Sequence, residues 1–147
     1  MPEQIHLQRA TEKIIPIIQK MLQENDLVIE DIPQIIDELF LAYKGSKIIG
    51  IGGVEHHGNV GLLRSIAIES SLRGKGYGTA LCNELIAKAK DDGINELFLL
   101  TLTAEAFFGR LGFERIERTE TPQEMQETTE FKTLCPVSSV CMKLKLE

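Results

Sequence analysis

The chain has 147 residues, 43% hydrophobic and 26% charged, the size and composition of one soluble domain with a real core. Its formal net charge of −6 and isoelectric point near 5.2 argue against a nucleic-acid binder, which usually shows a basic footprint. No apolar run reaches the ~18 residues of a membrane helix, the start Met-Pro-Glu-Gln does not read as a signal peptide, and the odd count of three cysteines makes no disulfide framework, so the expected compartment is the cytoplasm.

The elements follow in order, with no repeat and no linker long enough to split residues 1–147 into more than one domain. Ile5 to Gln8 predicts a short first strand. Thr11 is placed as an N-cap, and Ile14, Ile15, Ile18, Met21 and Leu22 form a helical apolar stripe. Pro16 removes a helical N–H, so this helix starts loosely or late. Asp31-Ile32-Pro33 opens a second helical piece that ends near Asp37. Leu39 to Lys44, Lys47 to His56 and Val60 to Ile68 predict three antiparallel strands, joined by turns at Gly45-Ser46 and Gly58-Asn59.

Beyond the third of these strands lies a turn with glycines at 74, 76 and 78, and helical periodicity begins at Tyr77. Leu81, Leu85, Ile86 and Ala89 line one helical face, and Gly93 ends it. Glu96 to Thr101 is apolar enough for a buried parallel strand. Thr103 is expected to cap a short helix from Ala104 to Leu111, followed by a strand from Phe113 to Arg118. Thr121-Pro122-x-Glu124 has the form of a capping box. Val140, Met142, Leu144 and Leu146 alternate with polar residues or cysteine, which predicts a last strand with one buried face.

A strand, a glycine turn and a helix start make an anion site. Glycine allows close approach and positive φ, and the free N–H groups of the helix start favour a phosphate. Arg73 and Lys75 add charge there. The turn is not a G-x-x-x-x-G-K-[ST] loop, since Gly76 follows Gly74-Lys75, and Thr79 breaks a G-x-G-x-x-G.

Arg73-x-x-Gly76-x-Gly78 resembles the R/Q-x-x-G-x-G/A signature of the GCN5-related N-acetyltransferase (GNAT) family. The strand and helix order agrees with it over most of the chain. The resemblance implies an α/β (α+β) GNAT fold: a mixed sheet of about six or seven strands, the fourth and fifth splayed, with helices on both faces. It also implies acetyl-CoA as co-substrate, its pyrophosphate on the backbone of Arg73, Gly74, Lys75, Gly76, Tyr77, Gly78 and Thr79. Backbone groups along Ile66, Ala67 and Ile68 would pair with the pantetheine arm, with Thr101 and Phe108 beside it. Leu63-Arg64-Ser65-Ile66-Ala67-Ile68, the run from Leu100 to Phe113, and Thr129-Glu130-Phe131-x-x-Leu134-Cys135-Pro136 with Met142 look like the small bacterial acetyltransferases encoded beside arsenic-resistance genes. Those are similar in turn to the acetyltransferase domain of N-acetylglutamate synthases. An amino acid or analogue is the implied acceptor, with direct transfer in a ternary complex and a homodimer, the C-terminal strand being an exchange edge. The other readings are a non-catalytic acetyl-CoA sensor and an acetyltransferase for protein N-termini or lysines. No nucleic acid and no membrane is expected as a partner.

Acetyl transfer requires a base for the amine, stabilisation of the thioester oxygen and orientation of both reactants. Glu55, near a strand end, is the candidate base, against a solvated carboxylate as the plain alternative. Glu69 is a second candidate. Arg64 on a central strand needs a partner: it either pairs with Glu55 or clamps a substrate carboxylate. Ser65 and Phe131 are further acceptor-side candidates. Phe108 stands where many GNAT enzymes have a tyrosine acid, so that role is unassigned. Adjacent His56 and His57 face opposite ways and read as surface residues, and no metal is expected. Cys135 and Cys141 form a thiol pair or are incidental.

Overall fold

The computed structural model describes residues 5–25, 27, 29–134 and 138–146, with nothing of the side chains of 133 and 134. Its strands are β1 (His6–Arg9), β2 (Leu39–Lys44), β3 (Lys47–His57), β4 (Val60–Ile68), β5 (Glu96–Thr101), β6 (Glu114–Ile116) and β7 (Val140–Lys145). The helices are α1 (Ile15–Glu24), α2 (Ile32–Ile35), α3 (Tyr77–Asp91), α4 (Glu105–Arg110) and α5 (Gln123–Gln126). The strands form one seven-stranded sheet in the order β1-β2-β3-β4-β5-β7-β6, with helices on both faces. Pairing is antiparallel except for β4 with β5.

The hairpins form where the turn residues predict them. Gly45 and Gly58 take φ of 61° and 67°, which glycine adopts at little cost. Pro16 sits in the first turn of α1, so the helix starts late, as a missing N–H allows. Gly93 follows the α3 C-cap with φ 87°.

Three capping expectations are corrected. The Thr11 hydroxyl accepts no capping hydrogen bond from the helix N–H groups. The hydroxyl that accepts the Ala104 N–H is that of Thr101, not Thr103, because β5 ends where α4 begins. The capping box lies at Glu117 and Glu120, around a 3₁₀ turn, whereas Thr121 donates to the Arg118 carbonyl at 2.5 Å. The strand expected from Phe113 to Arg118 is only three residues long.

The C-terminal strand is no free edge. β7 lies between β5 and β6 with partners on both sides, and the outer strands are β1 and β6.

Two bulges decide which side chains face which layer. On β2–β3, Ala42 pairs with Gly50 but Tyr43 with Ile48, so Ile49 is the extra residue. Ile49 then packs with Leu81 and Leu85 of α3, while Ile51 packs with Ile18 and Leu22 of α1. On β3–β4, Ile51 pairs with Ala67 and Gly53 with Arg64, so β4 carries the extra residue. Ser65 sits in that bulge with φ 62°, among the described residues the one non-glycine residue with positive φ. The bulge puts Leu63, Ile66 and Ile68 on the α3 side and Ala67 on the α1 side. Strict alternation would have set Leu63 and Ile66 on opposite faces.

The bulge works because the facing residues are glycines. A Cβ on Gly52 would come within 2.6 Å of the Ile66 side chain and 2.8 Å of Leu85. Leu81 and Leu85 themselves are almost fully buried, each worth about 1.5–3 kcal/mol over exposure.

Candidate active site

β4 and β5 pair only at Val60–Glu96, Gly61–Leu97 and Leu62–Phe98. Beyond Leu62 the strands part, and a cleft of about 830 Å³ opens between them. That volume suits a cofactor site. One wall is β4 from Leu63 to Ile68, and the other runs from Leu99 to Ala104. The β4 wall has β3 on one edge and no β5 partner on the other, so it offers backbone groups to an extended ligand. Ile66, Ala67, Ile68 and Thr101 all line it.

The glycine turn closes one end. Gly74 and Gly76 hold φ of 78° and 89°, conformations a side chain disfavours. Gly76 is the N-cap of α3, and no side chain caps that end. Among the described residues, no helical or side-chain acceptor meets the first-turn N–H groups of this 15-residue helix, whose partial positive charge points outward. Arg73, Gly74, Gly76, Gly78 and Thr79 line the cleft. Arg73 is anchored by Asn25 Oδ1 at 2.8 Å, at the end of α1.

Two residues of the turn do not line the cleft with their side chains. Lys75 is exposed and is not among the described lining residues. The Tyr77 ring is only 5% exposed and packs in the α3 core, with Lys44 Nζ 5.6 Å from its centroid. The helix start aims backbone groups at the cleft.

Phe108 lines the cleft and is fixed by edge contacts to Phe107 and Phe113, with centroids 5.0 and 5.8 Å away. It has no proton to give.

The other end of the cleft holds a buried ionic cluster. Arg64 donates from Nη1 to Asp31 Oδ2 and from Nη2 to Asp31 Oδ1, both at 2.6 Å. Nη1 also reaches Glu55 Oε1 at 3.3 Å, and Nε lies 3.3 Å from Ser65 Oγ and 3.5 Å from Glu130 Oε2. Burial alone would lower the Arg64 guanidinium, but the Asp31 hydrogen bond and the charges of Glu130, Asp31 and Glu55 raise it above its ordinary value. Arg64 is thus paired, mainly with Asp31 rather than with Glu55. A free clamp for a substrate carboxylate is not what the side chain presents.

Glu55 is buried, as the apolar run before it suggests, but it is not among the described lining residues of the cleft. Its other oxygen lies 2.7 Å from His57 Nε2. Glu55 stays joined to the cleft wall through Arg64, whose Nη1 lies 3.3 Å from its Oε1. Glu69 accepts from the Ser71 hydroxyl at the turn. The Phe131 ring packs with Leu62, Phe98 and Met125 under the Arg118 guanidinium and is not among the described lining residues of the cleft. Ser65 does line the cleft, beside Arg64.

The residue that the sequence reading missed is Glu130. It lines the cleft and is 6% exposed. It begins a π-helical turn, Glu130–Leu134, a rare form often found at functional sites. Thr128 holds that turn: its hydroxyl donates to the Met125 carbonyl at 2.8 Å and accepts the Phe131 N–H at 3.2 Å. Burial pushes the Glu130 carboxyl up to about 7; Arg64 opposes this, while Asp31 and Glu55 add to it. The buried apolar residue next to it, in a segment with no clear period, was the available signal.

Among the described residues no group of three or more His, Cys, Asp or Glu could hold a metal. His56 reaches Glu38 and Asp92, on the side opposite His57. Cys135 lies outside the described residues. Burial lifts the thiols of Cys82 to about 12 and Cys141 to about 11, so neither offers a thiolate near neutral pH.

Residues 11–113 match the model of the acetyltransferase (GNAT) family. The chain is 32% identical over 120 residues to an uncharacterized N-acetyltransferase, CT2212, of Chlorobaculum tepidum, covering 80% of this chain and 74% of that one. It is 30% identical over 110 residues to the amino-acid acetyltransferase of Mycobacterium tuberculosis, covering 72% of this chain and 62% of the relative. In structure it is similar to Rv2747 of M. tuberculosis, solved with CoA (TM-score 0.80, 24% identity, 97% and 99% covered). N-acetylglutamate synthase of Neisseria gonorrhoeae, solved with coenzyme A and N-acetyl-glutamate, shares the fold over all of this chain but 36% of its own (TM-score 0.84, 19% identity). The chain belongs to the GNAT acetyltransferase family. It is an acyltransferase whose acetyl donor is acetyl-CoA, and the glycine turn and unpaired β4 edge fit that donor.

Proposed function

We propose that the protein acetylates the amine of a small molecule, an amino acid or an analogue of one, by direct transfer in a ternary complex. One observation carries this reading: a single cleft joins a phosphate-type backbone cradle at Gly74–Thr79 to a buried acid–arginine cluster at Arg64. The first end suits a nucleotide cofactor and the second a small charged acceptor. The amino-acid acetyltransferase relative supports the acceptor class.

Acetyl-CoA supplies an activated thioester. The chain supplies the rest. The first turn of α3 holds phosphate, the β4 edge orients the arm, and the strained Ser65 bulge redirects backbone groups toward the reacting end. With both described thiols held protonated by burial, direct transfer is favoured over a covalent enzyme intermediate. Phe108 leaves the departing thiolate to water or to the proton shed by the amine. A cytoplasmic homodimer is the setting this reading assumes.

The test is thermal unfolding with acetyl-CoA, CoA or ADP, followed by CoA release across the common L-amino acids and their decarboxylated amines. Saturation a hundredfold above Kd adds about 2.7 kcal/mol to stability. A shift with acetyl-CoA and turnover of an amino acid are the expected results. A shift with no turnover of any amine would identify a sensor module, the reading that Phe108 favours.

A further inference from the structure

Three carboxylates meet one guanidinium at the acceptor end of the cleft. They are unequal. Asp31 takes both short bonds from Arg64. Glu55 has the longer bond from Nη1 and, on its other side, His57. Among the described residues, Glu130 has only a 3.5 Å approach to Nε, beyond a strong hydrogen bond, and Nε is shared with Ser65. Of the three, Glu130 alone lines the cleft. The cluster is short of positive charge, and the under-paired carboxylate faces the open side. A cation arriving through the cleft would complete it.

We propose that Glu130 is the group that receives the acceptor amine, binding it as an ammonium ion and taking one proton from it. This rests on the acetyl-transfer reading above and assigns the base to Glu130 in place of Glu55. The proton passes from nitrogen to a Glu130 carboxylate oxygen. The freed lone pair forms the new C–N bond as the thioester C–S bond breaks. The sulfur leaves with the electron pair and takes up the proton that nitrogen sheds on becoming an amide. The Glu130 proton then returns to solvent, which balances one ammonium and one thioester against one amide, one thiol and one proton.

The charged groups facing Glu130 are Arg64 from β4, Asp31 from the segment before α2 and Glu55 from β3, with His57 behind Glu55. Asp31 and Glu55 disfavour its ionised form and Arg64 favours it. The outcome suits a base that must exchange a proton near neutrality. The same excess of negative charge makes the pocket select for the ammonium end of an acceptor over its carboxylate end.

Three measurements test this. Glu130→Gln should cut kcat at least ~100-fold on the amino acid turned over fastest in the panel, and should remove the limb of the pH–kcat/KM profile near 7, while the acetyl-CoA thermal shift stays as in wild type. Glu55→Gln, made in parallel, should keep that limb. In carboxyl-¹³C NMR of the wild type without cofactor, Glu130 should titrate near 7, and methylammonium chloride should move its midpoint to lower pH. Turnover within about twofold of wild type in Glu130→Gln overturns the proposal. So does a midpoint indifferent to methylammonium, a readout that needs no variant to fold. If the wild type acetylates nothing yet the methylammonium effect is seen, the transfer reading fails and the ammonium site stands.

Discussion

Arg64 grips Asp31 with both terminal nitrogens at 2.6 Å and so ties the middle of β4 to the segment in front of α2. Both side chains are buried, at 1% and 9% exposure. A planar guanidinium and a carboxylate meeting in this way form a charge-assisted pair with fixed geometry. It braces the wall of the cleft from outside the cradle.

Arg64→Met is expected to be the most damaging change in the cluster. It leaves three buried carboxylates without their cation, and ~3–5 kcal/mol of stability should be lost. Asp31→Asn removes one charge but leaves Arg64 with Glu55 and Glu130, so a smaller loss of ~1–3 kcal/mol should follow. Urea unfolding of the two variants checks the order. The reverse order would mean that Asp31, not the guanidinium, organises the cluster.

Gly76→Ala places a Cβ at φ 89°. The cost should be about 1–2 kcal/mol in stability. The larger effect should fall on the cofactor, because relaxing that φ turns the first N–H groups of α3. The acetyl-CoA thermal shift should shrink well beyond what the stability loss alone accounts for. Isothermal titration with acetyl-CoA gives the same quantity directly.

Ser65 offers the opposite experiment. Its φ of 62° is strained for serine, so Ser65→Gly should raise stability by up to ~1 kcal/mol, less whatever the Arg64 Nε contact to its hydroxyl contributes. Ser65→Val, branched at Cβ, should lower stability and turnover together. Equal stability in both variants would show that the bulge can be lost without cost.

Stability should also depend on pH through Glu130. Its ordinary carboxyl value of 4.5 rises to about 7 in the folded chain, through burial first and then its acidic neighbours, against Arg64. Between those values the folded form keeps a proton that the unfolded chain has lost. Folding therefore binds a proton, and stability from this group falls as pH rises from about 4.5 to 7. Below that window the group contributes nothing, and above it the full penalty applies. Glu130→Gln removes the penalty, so its stability relative to wild type should improve by ~1–3 kcal/mol between pH 5 and pH 8. Paired melts at the two pH values measure this, and a constant difference would place Glu130 outside the titrating set.

Much of the molecule was legible in the sequence. β2, β4 and β5 run between the residues where composition and turn chemistry end them, and Gly76-x-Gly78 opens α3 as its glycines require. These features are set by near neighbours: a period of two or 3.6, a glycine that tolerates positive φ, a proline without an N–H. Such signals survive in any single sequence.

The site's chemistry is different in kind. The Ser65 bulge shifts the alternation along β4, and only pairing with β3 reveals it. Asp31, Glu55, Arg64 and Glu130 come from four separate stretches, and no local rule says which of the carboxylates will hold the arginine and which will face the cleft. Sequence by itself marked most of the elements, the glycine turn before α3 and the family resemblance. Tertiary structure alone decided the partner of Arg64, the inward turn of Tyr77 and the placement of Glu130, because charge pairing and burial act between residues that are distant along the chain and adjacent only after it has folded.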